Sequence, residues 1–536
     1  MKTVRGFRLL AATAMIGTVV TVGGATAHAT TTSRAVASHP SFALKANLAH
    51  VITKGMLYRH VYSKLTDHDQ NGGCKKCLVT GPLHSRKQNP SSRLVGNLPG
   101  APVGGVHPRV FTLQTNTAHA VASCQPAGCW PLDTSEASDG NVVVYTANET
   151  ISFSTNFGAT FTSFPSGSFF SDLPAGGPCC DQVMQYVPSI NRFIWLDQYW
   201  AGPTGKNLYR LVAFAPSAVS AGGLSSFTYW DIYSPSGTYP FMDFPDLAVG
   251  NRYLYLTCDL GGGGHVFQTA MFRIGLTNLQ LSLNLASAPT PWRYIVGTLF
   301  FGRTAQNTGA VAYWAAPKNT SQMNIGWWPE AGNNYFGPAT VNIASWPGAN
   351  FTSTNPDANS WNSTYTGVVL ADAVTHFGGG SQLWLAWPAG VGTGSLSWLT
   401  RPHVELVEIN VASMSFMGQT AIWNPSFAIS FPALAVARNG DLGINFAYGG
   451  SGHWTNTAIT DWTQAPFVAW QVTNSTASDG HNRWGDYAAI RPEYGMAQTG
   501  APMPAGGFTA SCYGVLAAVT GQVSRSYDTH WVAFNL

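Results

Sequence analysis

The sequence predicts an all-β protein, and within that class a β-propeller preceded by a mostly irregular N-terminal extension. The 536 residues include 57 glycines and 32 prolines, and 12% are aromatic, a mixture that suits many short strands joined by turns. A short phrase that recurs along the chain favours the propeller. The hydrophobic fraction of 45% is enough for a large buried core, which excludes a generally disordered chain.

The recurring phrase is a short strand that begins with proline or an acidic residue, then a turn, then a strongly apolar, aromatic strand. Its clearest first strands are residues 136–140, 181–186, 245–249, 432–436 and 486–490. Weaker copies fall at 294–314 and 368–387. Units of ~45–60 residues built of antiparallel strands are typical of propeller blades. We predict seven blades over residues 126–536, with six as the alternative. A large β-sandwich explains alternating strands but not the repeated phrase.

The first 29 residues follow the order of a secretory signal peptide. Lys2, Arg5 and Arg8 precede an apolar run at 9–22, and residues 27–29 (AHA) supply a small-residue cleavage pattern. The run is shorter than the ~20 apolar residues that a membrane-spanning helix needs. We therefore expect a secreted, extracellular protein with no membrane segment after signal cleavage.

Residues 30–125 differ from the rest of the chain and are predicted to be an N-terminal extension or pro-region. They contain many of the basic residues, one amphipathic helix predicted around 43–65, and a loop-like stretch around 72–108. The apolar periodicity is interrupted too often to favour a small accessory domain.

The charge balance argues against a polyelectrolyte partner. Lys and Arg number 27, Asp and Glu number 24, and only 10% of residues are charged, against ~25% in ordinary soluble domains. We expect no nucleic-acid partner, and we expect a monomer.

The eight cysteines favour disulfides, because an exported chain meets an oxidising compartment. Local pairing is invited by the spacing of Cys74 with Cys77 and of Cys124 with Cys129. The adjacent Cys179 and Cys180 either form a ring or pair elsewhere, with Cys258 and Cys512 as candidate partners. Zinc is the alternative at the first pair, although only one Cys-x-x-Cys unit is present.

One turn-like segment resembles a known family motif. Residues 154–161 (STNFGATF) resemble the Asp box, Ser-x-Asp-x-Gly-x-x-Trp, with Asn156 in place of the acid. Residues 483–487 (RWGDY) are similar to a phrase of inner strands in secreted bacterial propellers. Together with the blade-like phrases, the chain resembles the sialidase-like, or BNR-repeat, superfamily. The resemblance implies a propeller, with the Asp box between the outer two strands of a blade as a folding element rather than a catalytic one.

Three acids hold the same place in their repeats and are predicted to converge on the channel at the propeller axis. They are Asp181, Asp246 and Asp486. Converging carboxylates raise the pKa of at least one member or attract a cation such as Ca²⁺. A carboxylate pair also performs glycoside hydrolysis, one acid protonating the leaving oxygen and the other acting as nucleophile or base. The alternative is that each acid bonds backbone amides of the next blade and ties the ring together.

The resemblance adds a second set of site residues. Sialidases use a tyrosine nucleophile with an acid partner and three arginines that clamp the substrate carboxylate. The corresponding candidates are Tyr487 with Glu493, and Arg303, Arg401 and Arg483.

Histidines and tryptophans next to turns are further candidates for sugar contacts. His265, His376 and His453 adjoin glycine-rich loops, where an imidazole can serve as acid, base or ligand or simply be solvated. The tryptophans beside turns, whose flat rings can stack on sugar faces or pack in the core, are Trp327, Trp328, Trp454 and Trp484.

These observations favour a carbohydrate-active propeller that binds an extracellular glycan at its axial mouth, with a sialidase-like glycoside hydrolase as the enzyme class. The first alternative is a non-catalytic glycan-binding or adhesion propeller. The second is a metal-dependent polysaccharide lyase. The sequence demands no cofactor and assigns no metal ligand, and calcium stays open as a bound ion.

Overall fold

In the computed structural model, the described residues form seven small antiparallel sheets and lie within the compact unit Ala35–Leu536. The residues that the structure describes are 50–53, 93–95, 112–118, 131–173, 176–201, 206–236, 238–262, 265–283, 293–297, 303–362, 368–377, 380–450, 452–462, 468–478, 484–485, 488–494, 506–516 and 526–535.

Three short strands precede the first complete sheet. They are β1 (His50–Thr53), β2 (Arg93–Val95) and β3 (Thr112–Ala118). Each forms the outer edge of a sheet whose other strands come from distant parts of the chain.

The first two blades follow. Blade 1 consists of β4 (Ser135–Ser138), β5 (Val143–Ala147), β6 (Thr150–Ser154) and β7 (Thr162–Pro165). Blade 2 consists of β8 (Pro178–Val187), β9 (Arg192–Tyr199), β10 (Leu208–Phe214) and β13 (Ser226–Tyr233), with a small hairpin of β11 (Val219–Ser220) and β12 (Gly223–Leu224) before its last strand.

Blades 3 and 4 lie in the middle of the chain. Blade 3 consists of β14 (Phe241–Val249), β15 (Tyr253–Gly262), β16 (His265–Gly275) and β17 (Arg293–Gly297). Blade 4 consists of β18 (Val311–Asn319), β19 (Gln322–Pro329) and β20 (Phe336–Asn342). The predicted weak repeat at 294–314 was wrong as a single unit, because its two strands belong to two different blades.

The last three blades complete the set. Blade 5 consists of β21 (Ala371–Phe377), β22 (Gly380–Ala389), β23 (His403–Asn410) and β24 (Ser415–Ile422). Blade 6 consists of β25 (Ala428–Val436), β26 (Leu442–Gly450), β27 (His453–Asp461) and β28 (Val468–Gln471). Blade 7 consists of β29 (Ala489–Pro492), β30 (Gly507–Leu516) and β31 (Ser526–Asn535).

Helices are few and short in the described part of the chain. One α-helix, α1 (Leu276–Gln280), follows β16, and the 3-10 helices are Ser166–Phe169, Pro188–Ile190, Pro216–Ala218 and Gly394–Leu396. None of these helices has the length and apolarity needed to cross a membrane.

The first strands of the blades form a closed ring. β4 contacts β8, β8 contacts β14, β21 contacts β25, β25 contacts β29, and β29 returns to β4. Blade 4 enters the ring through residues 303–309, because parallel bridges join Gly250 to Gly309 and Gln306 to Ala373. The predicted seven-bladed propeller is therefore confirmed, and the six-bladed alternative and the sandwich are wrong.

Ring closure uses a strand from the region that the sequence analysis placed outside the propeller. β3 pairs antiparallel with β31 and supplies the outer strand of blade 7. β1 pairs with β13 and β2 pairs with β28. The prediction of a helix around 43–65 was wrong at His50–Thr53, because these residues form an edge strand that pairs with β13.

The segment that resembles the Asp box forms a compact turn between β6 and β7. Ser154 Oγ accepts a hydrogen bond from the Gly158 amide at 2.9 Å, and Asn156 Oδ1 accepts one from the Thr160 amide at 3.0 Å. Gly158 has a φ of +70° and packs against the ring of Trp531 in blade 7. The turn thus joins the first and last blades of the ring, at the position between outer strands that the resemblance implied.

Candidate active site at the axial mouth

Apolar side chains near the beginnings of the inner strands belong to one buried cluster. They come from blades 1, 3, 5, 6 and 7 and from the connection between β20 and β21, and we call them the axial plug: Leu132, Phe244, Trp361, Leu370, Phe431 and Trp484. Trp361 is only 1% exposed, and its ring centroid lies 6.2 Å from that of Phe431. Phe244 and Phe431 both have left-handed backbones, with φ of +51° and +52°. Large apolar rings thus pack together near the beginnings of these inner strands.

A small space, the axial chamber, lies among the inner strands. Its lining draws on all seven blades: Thr134, Ser135, Val183, Asp246, Arg303, Gln306, Leu370, Ala371, Asp372, Ala433, Leu434, Ala488, Ala489 and Arg491. The space open to the centre of a water molecule is about 30 Å³. A chamber of this size accommodates water but not a sugar ring.

Two carboxylates and two guanidiniums share the chamber. Burial raises the pKa of Asp246, and Arg303 and Arg491 oppose that rise. Burial raises the pKa of Asp372 well above its usual range, and the neighbouring Asp246 raises it further while Arg303 opposes the shift. Burial and the charge of Asp246 thus act in the same direction on the pKa of Asp372, as expected for two acids that share a buried site.

Arg491 joins the chamber to the surrounding strands. Its Nε donates to the backbone carbonyl of Met184 at 3.1 Å, linking blade 7 to blade 2 across blade 1. Burial lowers the pKa of Arg491, and the charges of Asp246 and Glu136 oppose that change. Burial raises the pKa of Glu136 to about 7, with Arg491 acting in the opposite direction. The chamber charges thus hold several blades together.

A second pair of carboxylates, on blade 3, does not line the chamber. Asp243 on β14 is the register partner of Asp259 on β15, and we call these two residues the acid pair. Asp243 is exposed and accepts a hydrogen bond from Gln198 Nε2 at 3.2 Å, whereas Asp259 is mostly buried. Burial raises the pKa of Asp259 to about 7, Asp243 raises it further, and Arg303 opposes the rise.

The acid pair places a carboxyl group whose pKa is raised to about 7 opposite an exposed carboxyl group. Residues directly opposite each other on neighbouring antiparallel strands have Cβ atoms ~4.5–5.5 Å apart. Asp259 keeps a proton up to about pH 7, while the exposed Asp243 is accessible to a ligand. Carboxyl groups whose environments separate their protonation states can divide acid and nucleophile roles.

A vicinal disulfide lies at the start of the inner strand of blade 2. Cys179 and Cys180 are bonded to each other, which selects the ring from the alternatives that the sequence left open. Register shifts on both sides of Cys180 interrupt the pairing of β8 with β9. Cys258 and Cys512 are free thiols buried in the core, and the four other predicted partners fall outside the described residues.

The structure brings only some of the predicted site residues together. Asp246 and Arg303 both line the axial chamber. Asp181 is buried but does not line the chamber. In β8 the first paired residue after the bulge is Gln182, and in β14 it is Asp246, so Gln182 rather than Asp181 corresponds to Asp246. A one-residue slip turns a strand side chain to the opposite face. The predicted equivalence of Asp181 and Asp246 was therefore wrong.

The remaining predicted residues are dispersed or lie outside the described ranges. Asp486, Tyr487 and Arg483 fall outside them, as does the side chain of His265. His376 is exposed near the far end of β21, where Nδ1 lies 2.7 Å from Ser381 Oγ. His453 is exposed at the start of β27.

The tryptophans and the other charged candidates divide between surface and core. Trp454 is half-buried beside His453, so part of its ring stays accessible. Trp484 is buried and stacks on Tyr513 with ring centroids 4.5 Å apart, so the prediction of a sugar-stacking face was wrong for this residue. Glu493 is buried after β29, and Arg401 donates to the Pro425 carbonyl at 3.4 Å on the rim of blade 5.

Sequence reasoning missed Asp243, Asp259, Asp372 and Arg491. Asp372 and Arg491 lie in inner strands, so aligning all seven first strands by their pairing would have found them. Asp259 lies near the end of a second strand, and only the register of β14 with β15 places it beside Asp243.

No group of three or more His, Cys, Asp or Glu side chains suited to a metal ion occurs within the described ranges. Calcium binding therefore stays a prediction.

Comparisons with known proteins give weak likenesses. No protein-family model matches the sequence, and no curated protein matches it. Among solved structures, the chain is similar to a GH62 hydrolase in complex with xylotriose, at 8% identity and a TM-score of 0.27 over 56% of this chain and 94% of that chain. It is also similar to a PL25 ulvan lyase, at 10% identity and a TM-score of 0.29 over 77% and 93% of the two chains. The Dos1 propeller has 7% identity and a TM-score of 0.29 over 76% and 94%. At these values the propeller assignment depends on the sheet topology of this chain itself.

Proposed function

We propose that this protein is a secreted glycoside hydrolase that cleaves an extracellular glycan at the acid pair. The observation that carries the proposal is the cross-strand placement of Asp243 and Asp259, one exposed and one with a pKa raised to about 7 by burial. The leader-like first 29 residues and the low charge of the chain support secretion and a weakly charged partner.

Asp259 is the proton donor in this proposal and Asp243 is the nucleophile. Asp259 protonates the glycosidic oxygen as the bond to the anomeric carbon breaks, and Asp243 attacks that carbon to form a glycosyl ester. Water then hydrolyses the ester while Asp259 takes the proton back. This two-step route is that of a retaining enzyme, so the proposal predicts that the product keeps the anomeric configuration of the substrate.

Arg303 has a positioning role beneath the acid pair. Its guanidinium lies 4.4 Å from the ring centroid of Phe244, the residue next to Asp243, and its charge acts on both Asp259 and the chamber acids. Removing this charge is expected to raise the pKa of Asp259.

The test compares two variants on natural glycans and on an aryl glycoside whose leaving group needs no protonation. On a glycan that the wild type cleaves, Asp259→Asn should lose ~10²–10⁴-fold in kcat, the typical contribution of a general acid. The same variant should keep most of its glycosylation rate on the aryl glycoside, whereas Asp243→Asn should be inactive on both. Asp139→Asn, at a partly exposed position in a turn of blade 1, is the matched control. Wild-type rates in both acid-pair variants would refute the assignment.

Finer specificities are tested on the same substrate panel. Sialosides examine the sialidase-like proposal, which requires Tyr487 and Arg483 as well as Arg303. Uronate-containing polysaccharides examine the lyase alternative through the absorbance of an unsaturated product. Binding without turnover on every substrate would support the non-catalytic propeller instead. If Asp246 is catalytic, as the sequence predicts, Asp246→Asn should lose turnover. If Asp246 only holds the blades together in the axial chamber, Asp246→Asn should keep turnover and have a lower melting temperature.

A further inference from the structure

We propose that two tryptophans on blade 5, Trp398 and Trp423, form a second binding site, which takes one sugar unit of a neutral glycan on the exposed ring of Trp398. We call these two residues the tryptophan platform. The inference goes beyond the proposed function, because the platform lies on a different blade from the acid pair and binds whether or not the protein cleaves the glycan.

The tryptophan platform lies at the end of blade 5 where the inner strand begins. The register pair of Ala371 and Ala386 sets the start of β21 beside the end of β22, and β22 leads into the loop 390–402 that carries Trp398. Trp423 directly follows β24, whose end lies beside the start of β23. Both tryptophans are therefore at the same end of the blade.

The ring of Trp398 presents apolar surface to solvent. Trp398 is 42% exposed, and no other tryptophan of the described ranges is among the exposed large apolar residues. Its ring centroid lies 5.3 Å from that of the half-buried Trp423, with the two ring planes at 74°. One neighbouring ring at this angle supports the Trp398 ring without covering both of its faces.

Hydrogen bonds within the loop 390–402 fix the backbone around Trp398. The Gly392 amide donates to the Leu399 carbonyl at 2.8 Å, and the Leu399 amide donates to the Leu396 carbonyl at 2.9 Å. Leu399, the residue after Trp398, is buried and anchors the loop to the protein. A ring that is held in place before the ligand arrives loses little conformational freedom on binding.

The surroundings of the tryptophan platform are polar and carry little charge. Ser397 and Thr400 are exposed on either side of Trp398 in the chain, so their hydroxyl-bearing side chains reach solvent. Arg401 is the only charged residue in the two connections that carry the tryptophans, and its Nε donates to the Pro425 carbonyl at 3.4 Å. A sugar has an apolar C–H face surrounded by hydroxyls, which matches an exposed ring flanked by hydroxyls. The low charge favours a neutral sugar.

The size of the exposed surface fits one sugar ring better than a protein partner. An exposed fraction of 42% corresponds to ~100 Å² for a side chain of ~250 Å². A stable protein interface buries ~800 Å² on each partner. Phe416 and Met417 are also exposed on blade 5, but Phe416 precedes Ile422 at the end of β24 by six residues, which is ~20 Å along a strand. They therefore do not extend the platform.

The experiment measures binding by calorimetry, with hexasaccharides of glucose, xylose and mannose as neutral probes and a galacturonic acid hexasaccharide as the charged probe. Wild type should bind at least one neutral probe, and Trp398→Ala should weaken that binding ~10–30-fold. Trp398→Tyr keeps a flat ring and should keep most of the affinity. The matched control is Leu281→Ala, which removes an exposed apolar side chain from blade 3 and should leave binding unchanged. Equal affinities in wild type and Trp398→Ala, tighter binding of the charged probe, or no binding of any neutral probe would overturn the inference.

A second measurement uses the wild type alone. N-bromosuccinimide oxidises exposed indoles, and peptide mass spectrometry identifies the oxidised tryptophan. A saturating neutral hexasaccharide should protect Trp398 from oxidation, and unchanged oxidation would overturn the inference even if Trp398→Ala does not fold. A wild-type dimer that Trp398→Ala separates into monomers would overturn it in favour of a contact between two copies of the chain.

The outcomes separate this site from the acid pair. Trp398→Ala should hydrolyse an aryl glycoside at the wild-type rate, because its changed ring does not belong to the acid pair. Binding that depends on Trp398, without hydrolysis of any substrate, would overturn the proposed function alone. Hydrolysis that depends on the acid pair, with equal binding in wild type and Trp398→Ala, would overturn this inference alone.

Discussion

The pKa of Asp259 should fall when the charge of Asp243 is removed. Asp243→Asn keeps the size of the side chain and deletes one negative charge opposite Asp259 across the ladder. For two charges ~5 Å apart, the interaction is ~0.8 kcal/mol in water and ~3.3 kcal/mol at an effective dielectric of ~20. These energies correspond to ~0.6 and ~2.4 pH units. Because Asp243 is exposed, the expected shift lies toward the smaller value, from about 7 to ~6.

A ¹³C-carboxyl NMR titration of aspartate-labelled protein measures this shift without a substrate. Asp259→Asn identifies the resonance by its loss, and Asp139→Asn removes a partly exposed charge in another blade. Adding ~1 M salt should reduce the difference between wild type and Asp243→Asn, because the Debye length falls to ~3 Å. A titration midpoint that is the same in wild type and Asp243→Asn would refute the electrostatic coupling of the acid pair.

Three further changes test the packing and charges of the ring. Burial raises the pKa of Glu136 to about 7, so the folded state loses stability as pH rises from about 4.5 through 7. Glu136→Gln removes this titration, so the melting temperature of the variant should decline less than that of the wild type over the same pH range. Gly158→Ala should lower the free energy of unfolding in urea by ~1–3 kcal/mol, because a Cβ there overlaps the tryptophan ring described above. Gly394→Ala, also at positive φ but with open space around it, should cost less. Equal losses in the two variants would contradict the steric reason. Arg210 donates to both carboxylate oxygens of Asp231, at 2.7 and 2.8 Å. Arg210→Met leaves Asp231 as a buried unpaired charge and should lower the free energy of unfolding, measured by calorimetry, by ~3–5 kcal/mol. Adding Asp231→Asn should recover part of that loss, and no recovery would contradict the ion-pair account.

Local patterns were sufficient to predict the blades. The predicted first strand at 432–436 lies within β25 (Ala428–Val436), and the predicted strand at 245–249 lies within β14 (Phe241–Val249). A proline, a turn and an aromatic strand can each be recognised from neighbouring residues, so the repeated unit can be predicted without the tertiary structure. The turn at residues 154–161 is local for the same reason, since its hydrogen bonds run between residues four or fewer positions apart.

The site was not predictable to the same degree. Asp181 and Asp246 look equivalent in the repeat, yet a bulge in β8 shifts Asp181 by one position. Trp484 looks like an exposed turn residue, yet its ring is buried and stacks on Tyr513. Bulges and long connections depend on packing between blades, which short patterns do not record.

The sequence by itself determined the all-β class, the repeated antiparallel unit and the positions of most inner strands, because each follows from composition and from residues close together in the chain. Only the tertiary structure decided which charges meet. Asp246, Arg303, Asp372 and Arg491 share one chamber because blades separated by many residues close into a ring, and β3 completes that ring from the N-terminal side. The register of β14 with β15 places Asp259 beside Asp243, since the side chains that face each other across a ladder are set by strand pairing rather than by order in the sequence.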